Sequence, residues 1–262
     1  MDKQDKIRFL AETDDDRILL ARVYDKLTAG VRKGIPAFTA FLTPREQAMV
    51  QSLLDFLPVH FFGGREGAER AMCCYLPEYL SEQDLLDDEF TPICAVRASF
   101  YHEDSLSHRD VLGALMGMGI KRETVGDIYV SDSFCDFFVT REILSYILSQ
   151  MESAGRTHLR LERISLSDVV VPQEMTREIK TTVSSLRLDS VLGAGFGLPR
   201  SKAVQAVEAG RVFLNDKCVY KADKLVTQGD KITLRGQGKL FLQNVGGKTR
   251  KDRLSITICR FG

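Results

Sequence analysis

The order of elements between residues 92 and 164 restricts the fold more than any other feature of this chain. "ICAVRASFY" reads as a strand, and "SHRDVLGALMGMG" as a helix with Ser107 as N-cap. "DIYV" and "CDFFVT" read as two short strands across a Ser-Asp-Ser turn. "REILSYILSQMESAG" reads as a second helix ended by Gly155, and "THLRLERI" as a last strand. The segment therefore runs strand, helix, strand, strand, helix, strand.

That order is the split βαβ arrangement of ferredoxin-like domains, the fold that RNA-recognition-motif proteins share with many unrelated ones. The aromatic-rich RNA signature of that motif is absent here. Phe137 and Phe138 fall on opposite faces of their strand, so at most one can stack on a base, and core packing is the ordinary fate of such aromatics. Before this segment, "DDDRILLARVYDKLTAG" reads as a helix closed by Gly30, and "TPREQAMVQSLLDFL" as a helix with Thr43 as N-cap and Pro44 at its first position. "VHFF" and "AMCCYL" read as strands around Gly63 and Gly64. The expected architecture is α+β. It comprises an N-terminal α/β domain over 1–80, a ferredoxin-like, RRM-like candidate RNA-binding domain over 81–170, a linker over 171–183 with Pro172 as a break, and a further domain over 184–262.

Composition adds two constraints. No apolar run approaches the roughly 18 residues of a membrane helix, and the polar, acidic start lacks a signal-peptide core, so the expected location is cytoplasmic. The six cysteines, Cys73, Cys74, Cys94, Cys135, Cys218 and Cys259, show neither C-x-x-C nor a His at ligand spacing, so they read as small buried hydrophobes, with no metal and no cofactor expected. The formal net charge is zero, yet residues 184–262 hold 15 Lys and Arg against 6 Asp and Glu, an excess of +9. The preceding 183 residues carry −9. Such asymmetry points to a polyanionic partner for the basic part, or to an acidic body docking its own basic tail.

Within the basic part, "SLRLDSVLGAGFG" reads as a helix stopped by Gly193 and Gly195, with Leu188, Val191 and Leu192 on one face. "PRSKAVQAVEAG" reads as a second, with Ala203, Val204 and Val207 inward and Gly210 as its cap. "RVFLN" and "CVY" flank an Asn-Asp-Lys turn. "DKITLRG" follows Gly229, and "GKLFLQNV" and "RLSITICRF" form a hairpin around "GGKTRKD". Arg200 and Lys202 add cations to the partial positive charge of a helix N-terminus, a combination suited to phosphate oxygens. Arg211 lies just beyond the other end. Lys217, Lys221, Arg235, Lys239, Lys248, Arg250, Lys251 and Arg253 widen that basic footprint.

The stretch from "SLRLDSVLGAGFG" to "ITLRGQGK" resembles the S-four domain, an RNA-binding fold named after a small-subunit ribosomal protein. Arg187-Leu188-Asp189, Arg200-Ser201-Lys202-Ala203, Ala209-Gly210-Arg211-Val212, Asn215 and Gly229-Asp230 carry the resemblance, and Pro199 departs from the usual Ser or Thr cap. The resemblance implies that Arg187, Ser201 and Asn215 join the basic residues in contacting RNA. "SHRDVLGALMGMGIKRETVGDIYV" and "GQGK…GGKTRKDRLSITICRF" further resemble the bacterial YlmH family, over most of the chain and least before about residue 80. That resemblance implies a part in ribosome-associated quality control, on a large ribosomal subunit carrying obstructed peptidyl-tRNA. There the family supports untemplated tailing of the nascent chain; an older label for it is cell-division protein. The expected partners are therefore structured rRNA and tRNA and the large subunit.

His108, Arg109, Lys121 and Arg122 form a second candidate RNA contact, flanking one helix of the central segment. Two other readings compete with a non-catalytic binder. An RNA-modifying enzyme is one, because S-four modules accompany pseudouridine synthases and methyltransferases. Asp189, however, lacks the continuation of a synthase motif, and "GAGFG" follows a helix where a nucleotide loop needs a strand. No nucleophile–base pattern or paired carboxylate set stands out. A protein scaffold with a basic tail is the other.

Overall fold

The computed structural model describes residues 2–101, 106–172 and 176–261, and the chain divides into two compact units, Met1–Pro172 and Gln173–Gly262. The first unit opens with helices α1 (Lys3–Leu10) and α2 (Asp14–Lys33), strand β1 (Ala37–Leu42), helix α3 (Pro44–Leu53), and strands β2 (Val59–Phe62) and β3 (Ala71–Tyr75). Capping boxes start α2 and α3: Thr13 and Asp16, then Thr43 and Glu46, bond each other's backbone N–H groups. Helix α2 does not stop at Gly30. It runs to Gly34, whose φ of 64° ends it, while a Cβ on Gly30 would fall 2.6 Å from that of Ala37. The glycine that looked like a stop is a point of close approach. Strand β1 also escaped the sequence reading.

The three strands form an antiparallel sheet in the order β1-β3-β2. One face packs on α2 and α3 through Leu20, Leu27, Val50 and Leu53. The other contributes Phe41, Met72 and Cys74 to a core shared with the next sheet.

That sheet contains β4 (Ile93–Ser99), β5 (Val125–Val130), β6 (Phe134–Thr140) and β9 (Arg160–Ile164) in the antiparallel order β5-β6-β4-β9. Helices α4 (His108–Gly117) and α5 (Leu144–Gln150) cover one face. The ferredoxin-like expectation is met. Its second helix is shorter than expected, and Gly155 instead makes the turn of a small hairpin, β7 (Ser153–Ala154) and β8 (Thr157–His158). Phe137 and Phe138 are both fully buried. Phe137 packs under the helices and Phe138 against Phe41 and Met72, so neither ring stacks on a base. Arg97 and Asp136, cross-strand partners on the Phe138 face, bond through two 2.7 Å contacts, and Asp136 also accepts the Val170 N–H.

In the second unit, residues 176–183, expected in the linker, form β10 (Thr176–Val183), paired along its whole length with β15 (Leu254–Phe261). Alternating Ile179 and Val183 add to the core there, which is why this stretch is strand; residues 173–175 of the expected linker lie outside the described residues. With β11 (Val212–Leu214), β12 (Lys217–Cys218), β13 (Lys231–Leu234) and β14 (Gly238–Lys248), they make an antiparallel sheet ordered β10-β15-β14-β13-β11-β12. Helices α6 (Leu188–Phe196) and α7 (Arg200–Glu208) pack on it. Each has nine residues, below the roughly 12–15 at which isolated helices begin to hold in water, so burial keeps them folded. Leu188, Val191, Leu192, Ala203, Ala206 and Val207 supply it, with Val204 only half-buried. Gly193 and Gly195 lie inside α6 rather than ending it, and Gly197, at φ 67°, is the true stop. A Cβ on Gly195 would come within 2.4 Å of Leu240 Cδ2.

Of the six cysteines, Cys73, Cys74, Cys94 and Cys135 are buried as expected, whereas Cys218 is exposed and Cys259 half-buried. Burial pushes the Cys73 and Cys135 thiols up to about 12, so they stay protonated and unreactive. Among the described residues, no helix is long and apolar enough to cross a membrane.

Candidate nucleic-acid interface

The strongest local arrangement in the second unit is built on a buried acid. Asp189, in the first turn of α6, is 1% exposed. Its carboxylate accepts from Arg187 Nε at 3.2 Å and Nη2 at 3.4 Å, and from Arg200 Nε at 3.0 Å. Burial raises its pKa, but the two guanidiniums outweigh that and hold it below the usual carboxylate range. One carboxylate therefore ties the N-cap of α6 to the first residue of α7. It fixes two cations whose side chains remain 36% and 65% exposed, enough to meet a ligand. The sequence reading placed Asp189 within a motif but missed this positioning role. An Asp two residues after an Arg, on the buried face of an apolar helix, was the available signal.

Pro199 precedes α7 and, having no side-chain acceptor, leaves the helix uncapped. The Lys202 N–H bonds the Pro199 carbonyl at 2.9 Å, which leaves the N–H groups of Arg200 and Ser201 to meet an anion beside the exposed Ser201 and Lys202 side chains. At the far end Gly210, at φ 66°, reverses the chain, and exposed Arg211 follows, its carbonyl accepting the Arg235 N–H. The guanidinium of Arg235 lies 5.6 Å from the Phe213 ring centre, and Lys239 Nζ lies 5.4 Å from that of Phe261. Apolar rings support both cations in place. Lys217 is exposed on β12. Arg250 and Lys251 are exposed at the tip of the last hairpin, where Lys248 pairs with Asp252 at 2.7 Å. Tyr220, another residue the sequence reading passed over, is 65% exposed and lies against Gly210, where a Cβ would sit 2.9 Å from its ring.

Asn215 differs from the rest. It and Asp216, at φ 48° and 64°, make the two-residue turn between β11 and β12. Its amide Nδ2 donates to Asp230 and its Oδ1 accepts from the Lys231 N–H. That side chain is committed to holding the turn. Arg253, likewise, donates to Thr182.

In the first unit, the four residues of the second candidate contact divide. Arg109 and Lys121 are exposed. Arg122 turns inward, its Nη1 donating to the Val125 and Gly126 carbonyls. Desolvation, then the charge of Arg70, pushes it down to about 10, so it stays cationic at neutral pH. His108 begins α4 and has its pKa lowered, first by desolvation and then by Arg122. His108 and Arg122 are therefore electrostatic neighbours, while the other two are separate surface cations.

Residues 99–168 match the family described as "Putative RNA-binding domain in YlmH", and residues 186–232 match the S4 domain. Over 224 residues the chain is 35% identical to "Ribosome-associated protein quality control protein P2" of Bacillus subtilis (strain 168), covering 85% of this chain and 86% of the relative. Among solved structures it resembles "Cell division protein ylmH from Streptococcus pneumoniae", at 16% identity and a TM-score of 0.50, covering 61% of this chain and 97% of that one, a likeness of fold.

Proposed function

Because the chain belongs to the YlmH family, we propose that it is a non-catalytic RNA-binding factor acting on the large ribosomal subunit with peptidyl-tRNA during ribosome-associated quality control. The observation that carries the RNA-binding part is the Asp189 clamp. It preorganises Arg187 and Arg200 beside an uncapped helix start, on a segment with a +9 excess. Two fixed forks and a helix N-terminus suit phosphate oxygens, and such contacts give affinity without reading bases. Arg187, Arg200, Ser201, Lys202 and Arg211 form the centre of the surface in this reading. Lys217, Arg235, Lys239, Lys248, Arg250 and Lys251 extend it, and Asn215 serves it indirectly by holding the turn. The name of the Bacillus subtilis relative supports the ribosomal part. Asp189 is the residue nearest in setting to a synthase aspartate, and its commitment to two guanidiniums argues against the enzyme reading.

Sucrose-gradient sedimentation of the full chain with separated ribosomal subunits tests the proposal. Co-migration with the large subunit, strengthened by bound tRNA, is the expected result. Protein that stays at the top of the gradient with both subunits overturns the ribosomal role.

A further inference from the structure

The first unit contains a cavity of about 440 Å³, walled by α2, β1 and the turn leading into β5. Its apolar side is formed by Leu19, Val23, Phe41 and Leu42. Four cations share the lining: Arg22 and Lys26, exposed one turn apart on α2, and the half-buried Arg70 and Arg122.

These charges are only partly compensated. Arg70 donates to the Val125, Phe41 and Arg122 carbonyls, and Arg122 to those of Val125 and Gly126. None of the four cations forms an ion pair among the described residues. Glu46 and Glu123 also line the cavity and offset two of the four charges, with Glu46 Oε2 accepting the Thr43 N–H and hydroxyl in the capping box. Asp127 lies close to both arginines and already accepts the Glu69 and Arg70 N–H groups and the Tyr129 hydroxyl. Two like charges side by side in a half-buried wall repel each other and lose hydration. Keeping them there without a direct ion pair has a cost that a bound anion reduces.

We propose that this cavity binds a nucleoside monophosphate group, its phosphate between Arg70, Arg122 and the two α2 cations and its base against the apolar wall. The four cations outnumber the two lining carboxylates, Glu46 and Glu123, which favours a phosphate dianion over a single carboxylate. The volume falls within the roughly 300–1,000 Å³ of small-molecule sites. Strand β1, an edge strand, contributes Thr39 and Ala40 to the lining. This inference does not rest on the RNA-binding reading of the second unit. The same chemistry has two sources, a free nucleotide or the 5′-phosphorylated end of an RNA, and the experiment separates them.

Isothermal titration of the full chain with AMP, adenosine and inorganic phosphate is performed in an Arg200→Ala, Lys202→Ala background, which weakens the basic surface described above. A 12-nucleotide RNA with and without a 5′-phosphate completes the set. Expected is saturable AMP binding, about tenfold or more tighter than adenosine, as loss of charge-assisted bonds implies. Adding Arg22→Ala with Lys26→Ala, both exposed, weakens it about fivefold, and Arg122→Gln weakens it about tenfold. Binding of the 5′-phosphorylated RNA but not AMP, reduced by the same substitutions, supports the RNA-end source. No phosphate-dependent binding by either probe, or binding unchanged by both substitutions, overturns the proposal.

Discussion

Replacing Asp189 with Asn separates two ways in which the basic surface can work. The substitution keeps the side chain's shape and removes its charge, while every surface cation remains. If net charge alone governs affinity, the second unit becomes one unit more basic and RNA binds more tightly. If preorganisation governs it, binding weakens. Arg187 and Arg200 now meet a carboxamide whose N–H₂ cannot accept from them, and the three bonds of 3.0 to 3.4 Å lose their charge assistance. Arg200, 65% exposed, is then free to sample other rotamers, and ordering one such side chain on binding costs about 0.5–1.5 kcal/mol. That corresponds to about a two- to twelvefold loss of affinity. Fluorescence anisotropy with a labelled tRNA, repeated from low to moderate salt, measures both quantities, with circular dichroism confirming that the variant is folded at the assay temperature. Weaker binding with an unchanged salt slope is expected, because the number of cations is the same. Tighter binding, or a reduced slope, refutes the positioning role.

Arg200→Ala with Lys202→Ala removes two cations instead. Its salt slope should fall by about 1.4–1.8, while its melting curve stays near that of the parent; an unaltered slope removes both residues from the surface. In the core of the same unit, Gly195→Ala forces a methyl to within 2.4 Å of Leu240 Cδ2, and urea denaturation should register about 1–3 kcal/mol of destabilisation from overpacking. Asp136→Ala strands Arg97 and the Val170 N–H, and should cost the first unit about 3 kcal/mol, near the low end for a broken buried pair because Arg97 is partly exposed. Asp16 is held well below the ordinary carboxylate range, first by Arg45 and then, against the opposing effect of burial, by backbone N–H groups. Its folded pKa is depressed, so its contribution is present above the unfolded value of about 3.9 and is lost as pH falls through the folded one. Acid unfolding of Asp16→Asn followed by tryptophan-free near-UV dichroism should therefore show a shallower loss of stability below about pH 4 than the parent.

Much of this molecule is local in its physics, and there the sequence spoke clearly. Ser107, Thr43 with Pro44, and the Asn215-Asp216 turn specify their own neighbourhoods through short-range hydrogen bonds and permitted φ angles, so caps and hairpins were legible without knowing the fold. The strand–helix alternation from 92 to 164 and the charge excess of 184–262 likewise depend only on residue order and type. Tertiary structure decided whatever depends on a distant partner. Gly30 and Gly195 are read as stops in isolation, but Ala37 and Leu240 require them within helices. Phe138 alternates outward from α4 and α5, and residues of β1 and β3 together with Leu76 and Leu85 bury it. Arg70 and Arg122 are 52 residues apart, and no periodicity predicts that one cavity wall holds both. Asp189 and Arg200 meet because α6 and α7 fold back on each other around a shared core. The sequence by itself determined the elements, the charge division and the basic character of the C-terminal surface; packing alone decided which cations are fixed, which are spent on backbone carbonyls, and which face of each sheet is closed to a ligand.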